Sequence, residues 1–159
     1  MAKVILVCGR ICCGKTTYAQ QLRIREKAVV LSCDEIMLSL LDEQLGERHE
    51  VYARRTEAYL LRKALEIVQT GITVILDWGP WTRKGRDEIR AFFSANGAEC
   101  QTHVIRLDES EWRRRIAGRN TAIDRGEYQA YHVDEGLEAK FRACYEEPVA
   151  DETDLWIDA

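Results

Sequence analysis

No run of apolar residues in this chain approaches the roughly 20 needed to cross a bilayer. Val4-Ile5-Leu6-Val7-Cys8 ends at once in Gly9-Arg10, too short for the core of a secretory signal. Both absences predict a cytoplasmic protein without a membrane partner, in a compartment where thiols stay reduced. Six cysteines are present, but none forms a C-x-x-C pair or has a histidine at finger-like spacing, which argues against zinc. The three histidines, His49, His103 and His132, show no nucleophile or metal arrangement and read as structural or exposed. Repeats, low-complexity tracts and interdomain linkers are missing as well. A net charge of −4 argues against a general nucleic-acid coat and leaves room for nucleic acid as a substrate in a local cleft. What remains is 159 residues, 46% hydrophobic and 31% charged, suited to one domain spanning the chain with a single core.

Strand and helix signals alternate along the chain, the pattern of an α/β fold whose parallel sheet is covered on both faces. Residues 4–8 are continuously apolar, as expected of a strand buried on both sides. Short strands are expected at 28–31, 73–76 and 101–107, with an edge strand at Leu155-Trp156-Ile157. Helices are expected at 16–25, after the Ser32…Glu35 capping box, at 50–70, at 82–96, after the Asp108…Glu111 capping signal and at 134–145. The 50–70 helix is read with Ala58, Leu61, Leu65 and Val68 inward. Residues 120–132 are polar and aperiodic and read as a loop or flap, part of a lid region at 119–133.

The most specific signal is Gly9-Arg10-Ile11-Cys12-Cys13-Gly14-Lys15-Thr16, followed by Thr17, which satisfies G-x-x-x-x-G-K-[ST] in full. Glycines let the backbone curl so that successive N–H groups face phosphate oxygens, and the following helix adds its positive end. Lys15 is spaced to reach the terminal phosphates, and the Thr16 hydroxyl to ligate Mg²⁺. Chance produces such a match in a chain of this size about once in a few hundred. Here the motif also follows a buried strand and opens a helix, as the chemistry requires. The implied ligand is a nucleoside triphosphate. Cys12 and Cys13 fall inside this loop, where amides and Lys15 would lower a thiol pKa; loop filler is the simpler reading.

Ligands of an open parallel sheet lie beyond the carboxyl ends of its strands. Asp77 closes the third strand, where an acid can hold Mg²⁺ or its water. Asp34 follows the second, within reach of an acceptor hydroxyl's proton. Each has a plainer role available: Asp34 in a helix first turn, Asp77 in the turn at Gly79-Pro80. Arg113, Arg114, Arg115 and Arg119 lie on the helix after the fourth strand, and only Arg115 and Arg119, four apart, share a face. Those two are candidate cations for the transferring phosphoryl group; Arg113 and Arg114 read as surface, and a face paired with Glu109 and Glu111 is the alternative. Trp78 and Trp81 could wall an acceptor pocket or serve as packing anchors, and Arg83 and Arg86 could hold an anionic acceptor.

Together these segments resemble the P-loop kinases, in particular the small kinases near the 5′-hydroxyl polynucleotide kinase, zeta-toxin and chloramphenicol phosphotransferase groups. The matching pieces are Gly9 through Thr17, Ser32-Cys33-Asp34, Val74 to Asp77, Arg115-Ile116-Ala117-Gly118-Arg119-Asn120, and the segment from Phe141 to Pro148. The resemblance implies a three-layer P-loop NTPase fold with a five-stranded parallel sheet of order 2-3-1-4-5. It implies ATP as donor and Mg²⁺ as cofactor. Gly14, Lys15 and Thr16 would bind phosphate and metal, Asp34 would be general base, and Arg115 and Arg119 lid arginines. Two departures stand out: the sequence ends at its fifth strand without the terminal helix of many relatives, and 77–86 matches no substrate signature. The expected activity is transfer of the γ-phosphate to a hydroxyl of a small molecule or a nucleic-acid 5′ end. A toxin-like kinase acting on a cell-wall sugar nucleotide is a variant of it. The alternative is a nucleotide-dependent switch or slow ATPase acting through a partner, weakened for GTP because Asn120-Thr121-Ala122-Ile123-Asp124 lacks the lysine of N-K-x-D.

Overall fold

Successive side chains of the first strand, β1 (Val4–Gly9), point to opposite faces, and every one through Cys8 is buried. Val4, Leu6 and Cys8 enter one apolar cluster; Ile5 and Val7 enter another. A strand with two cores must sit inside the sheet. In the computed structural model, which describes residues 1–41, 45–127 and 130–159, β1 is the central strand. It pairs in parallel with β3 (Val74–Leu76) and β4 (Cys100–Arg106), while β2 (Val29–Leu31) and β5 (Leu155–Asp158) form the edges. The order is β2-β3-β1-β4-β5, the one the resemblance implies.

Helices cover both faces, giving three layers. α2 (Cys33–Leu40), α3 (His49–Gln69) and α4 (Arg83–Ala95) share the cluster of Val4, Leu6 and Cys8. α1 (Lys15–Glu26) covers the other face through Ala19 and Leu22. Each fully buried Leu or Ile contributes about 1.5–3 kcal/mol from apolar area alone. A third cluster joins α5 (Glu109–Asp124) and α6 (Glu135–Cys144) to Ile11 and Cys12 of the glycine loop.

The structure departs from the sequence expectations at two places. The buried face of α3 is Leu60, Ala64 and Val68; Ala58 is exposed and Leu61 and Leu65 only flank the core. At 100° per residue, a register set on Ala58 points that helix about one position too far round. The polar stretch 120–132 is not a loop throughout, because α5 continues to Asp124. Gly126 stops it, with φ of 70°; its N–H donates to Ile123 O and that of Glu127 to Ala122 O, a Schellman ending. Of the lid region at 119–133, residues 128 and 129 lie outside the described residues.

Candidate active site

The glycine loop leaves β1 at its carboxyl end and opens α1, as its motif requires. Gly9 has φ of 143°, and a Cβ there would sit 2.7 Å from Cys13 Sγ and 2.9 Å from Ile105 O. Only glycine lets the loop fold back this tightly. Gly14, at φ of 100°, begins α1, and a Cβ on it would meet Arg115 Nη1 at 3.3 Å. A side chain at Gly14 would therefore press on the end of the arginine that α5 sends to the loop.

Two cations meet the loop carbonyls. Lys15 Nζ donates to Gly9 O at 3.2 Å and to Arg10 O at 2.7 Å. Arg115 donates through Nη1 to Cys13 O at 2.9 Å and through Nε to Glu111 at 2.7 Å. Arg119, one turn further, donates to Cys12 Sγ at 3.4 Å and to Tyr131 O at 3.4 Å. The pair expected on one helix face does converge on the loop, and Arg115 also takes the Glu111 partner of the plainer reading. Arg113 and Arg114 stay exposed on Glu109 and Glu111, as expected of surface residues. Arg10 leans outward, bonded to Glu109 at 2.9 Å and stacked over Trp112.

Asp77 and Asp34 stand at the ends of β3 and β2. Asp77 is almost wholly buried, and burial pushes its carboxyl up to about 6 against a hydrogen bond from Thr16 and the charge of Lys15. A carboxylate pKa raised on folding costs stability as pH climbs from the ordinary 3.8 to about 6 and beyond. The fold thus tolerates an acid that weakens it at neutral pH. Asp34 opens to solvent, but in a recess, and the surrounding protein raises its pKa while Lys15, Arg119 and His49 pull the other way. Ser32 caps α2, its side chain accepting from Glu35 N at 3.3 Å, so the turn that carries Asp34 is fixed by its own sequence.

Three residues acquire roles that the sequence did not suggest. His49, read as structural or exposed, faces Asp34 electrostatically and packs its ring edge-on to Tyr131 at 5.2 Å. Glu57, on α3, feels the charge of Asp34. Asn120 holds Val133 by two bonds, Nδ2 to the carbonyl at 2.8 Å and the amide to Oδ1 at 2.9 Å. Asn120→Ala is expected to speed amide exchange of Val133 by about 10-fold, the effect of losing one to two hydrogen bonds in a local opening, while the sheet amides keep their protection. Hydrogen exchange read by mass spectrometry or NMR checks it.

Other candidates belong to the packing. Trp78 is core, and Trp81 stacks edge-on to Phe141 at 5.2 Å. Arg83 pairs with Asp151 near the surface, and Arg86 pairs with Glu152 in the interior. His103 is buried beside Tyr18 Oη at 2.9 Å and burial drops its pKa to about 4, leaving a neutral ring. The Cys12 thiol is pushed up by burial, which outweighs Arg119 and Lys15, so the loop does not activate it. No described helix is long and apolar enough to cross a membrane.

The family profile of an AAA domain matches residues 4–148. No curated protein resembles the sequence closely enough to count as a relative. Among solved structures, a putative kinase from Chloroflexus aurantiacus J-10-fl is similar at a TM-score of 0.74 and 18% identity, over 99% of this chain and 88% of that one. The APS kinase CysC of Mycobacterium tuberculosis, solved with AMPPNP and APS, aligns at 0.68 and 18% identity over 99% and 88%. Kti12 from Chaetomium thermophilum, solved with ADP-AlF3, aligns at 0.65 and 20% identity over 98% and 88%. With its complete phosphate loop and a sheet of order 2-3-1-4-5, the chain belongs to the AAA domain family that matches it and has the P-loop kinase fold.

Proposed function

We propose that this protein transfers the γ-phosphate of ATP to a hydroxyl group of an acceptor. The observation that carries the reading is that Asp34 lies within reach of the charges of Lys15, beside the glycine loop, and of Arg119, which bonds to that loop. A carboxylate that can take a proton thus stands near cations that can hold a phosphoryl group.

The loop amides of Gly9 through Thr17 would hold the polyphosphate. Lys15 would exchange its bonds to Gly9 O and Arg10 O for phosphate oxygens, and Arg115 and Arg119 would neutralise charge that spreads over the transferring group. Asp34 accepts the acceptor's hydroxyl proton as its oxygen bonds to phosphorus. The bond from phosphorus to the bridging oxygen breaks, and ADP leaves with that electron pair. The lid region at 119–133 would exclude water, which otherwise competes as acceptor. The Thr16 hydroxyl and the Asp77 carboxylate are hydrogen bonded to each other and offer hard oxygen ligands, so they fit Mg²⁺. Bound there, the ion would screen the phosphate charge. Among the described residues no group of three or more His, Cys, Asp or Glu is placed to hold a metal ion.

The direct test is transfer of labelled γ-phosphate from ATP to pooled metabolites, nucleosides and oligonucleotides. Lys15→Ala is expected to lower transfer by about 10²–10³-fold, the cost of removing one donor from the developing charge, and to weaken ATP binding as well. Labelled product in every pool at the same rate as the unmodified protein would refute the assignment. Slow ATP hydrolysis that no acceptor stimulates would favour the switch reading.

A further inference from the structure

We propose that Glu57 lines the acceptor side of this recess and selects a neutral polyhydroxy compound, excluding acceptors that carry phosphate, sulfate or carboxylate beside the reacting hydroxyl. The inference rests on the phosphotransfer reading and sharpens it.

The register of α3 places the residue. Leu60, Ala64 and Val68 form its buried stripe, and steps of three and four carry that stripe back to Glu57, Ala53 and His49. Cys33, the neighbour of Asp34, reaches Ala53 O through its thiol at 3.8 Å. Glu57 lies one turn after Ala53 on the same face and is half-buried, although glutamate is ordinarily an exposed residue. Asp34 and Glu57 thus stand near each other where α2 and α3 meet, close enough for Glu57 to feel the charge of Asp34. The core beneath them holds a further polar atom. Trp78, one residue past Asp77, packs in the same cluster as Cys33, Met37 and Leu60, and its buried Nε1 has no hydrogen-bond partner among the described residues. Buried donors are ordinarily satisfied, and one that is not calls for an oxygen from water or ligand.

Charge decides the class of acceptor. Lys15 and Arg119 offset Asp34 in the free protein, and the triphosphate engages both. Arg83 and Arg86 are committed to Asp151 and Glu152, and Arg54 and Arg55 are exposed on the outer side of α3. The acceptor side then presents two carboxylates, and burial together with Asp34 already raises the pKa of Glu57. A second anion would meet repulsion from both. A hydroxyl donates to a carboxylate and also accepts from an indole N–H, whereas an ammonium can only donate. A vicinal polyol therefore fits best, one hydroxyl giving its proton to Asp34 and its neighbour donating to Glu57.

The test is steady-state transfer from ATP to three panels. One holds neutral polyols, free sugars and nucleosides. A second holds amino sugars, and a third sugar phosphates and a 5′-hydroxyl oligonucleotide. Label in the first panel is expected, with Glu57→Gln raising the acceptor KM about tenfold through loss of a charge-assisted hydrogen bond and leaving the ATP KM unchanged. Glu57→Lys, if it retains the parent circular dichroism, is expected to shift preference toward the third panel, which a merely structural glutamate would not do. Label only in the second or third panel, or an unchanged acceptor KM in Glu57→Gln, would overturn the assignment and leave phosphotransfer standing. No label in any panel from the unmodified protein would remove phosphotransfer itself and the assignment with it.

Discussion

Asp34→Asn is expected to slow phosphate transfer by about 10²–10⁴-fold, the range for removing a general base, while the Kd for ATP changes by less than about twofold. The two effects separate because Asp34 stands on α2 and not on the loop that would hold the nucleotide. Asparagine keeps the size of the side chain and its place in the first turn of α2 but accepts no proton. The pH dependence carries a second signature. The recess raises the Asp34 pKa above the ordinary carboxylate value, so transfer should rise with pH through that raised pKa and then level off. The acid limb should vanish in the variant. Stability should move the other way. A carboxylate whose pKa is raised on folding costs stability as pH rises through its unfolded value, so Asn at this position should leave Tm at neutral pH unchanged or higher. A variant that loses transfer without losing stability identifies a residue kept for chemistry. If Asp34→Asn transfers phosphate at the parent rate, another group takes the proton.

How much of this was legible in the sequence depended on how local each signal is. The loop from Gly9 to Thr17 was fully legible, because its function needs specific residues at fixed spacing on one short segment. β1 was legible because five consecutive buried side chains exclude an amphipathic element. Ser32 and Asp108 marked helix starts, since a cap is a contact between residues three apart. Glu57 was not legible. Its significance depends on which way α3 is rotated, and an error of one position in the inward face, with Ala58 taken for core, turned it away from the recess. The end of α5 was missed because a polar stretch hides a helix whose stability comes from packing, and only Gly126 marked the stop. His49 and Tyr131 lie 82 residues apart in number and meet only in the fold, so no window along the chain joins them. Arg83 and Arg86 were offered to a ligand for the same reason: their partners sit more than 60 residues downstream.

That second pairing leads to the largest expected effect on stability. Arg86 is 1% exposed and Glu152 2%, and the guanidinium fork meets the carboxylate at 2.7 and 3.0 Å. Burial works against both charges, but their contact outweighs it, holding the Arg86 pKa above and the Glu152 pKa below ordinary values. Arg86 also donates to Pro80 O and Trp81 O, and Glu152 accepts from Val149 N, so the pair pins the turn after Asp77 to the segment leading into β5. Arg86→Leu would strand a carboxylate with little access to water. Removing one partner of a buried pair costs about 3–5 kcal/mol. At about 2–4 °C per kcal/mol for a chain of this size, Tm should fall by roughly 6–20 °C. Arg86→Leu combined with Glu152→Leu should recover most of the loss, since a well-packed apolar pair often equals a buried ionic one. Thermal unfolding of the two single variants and the double variant gives the coupling between the sites. A double variant no more stable than Arg86→Leu would mean that the bonds to Pro80 and Trp81, and not the stranded charge, set the cost.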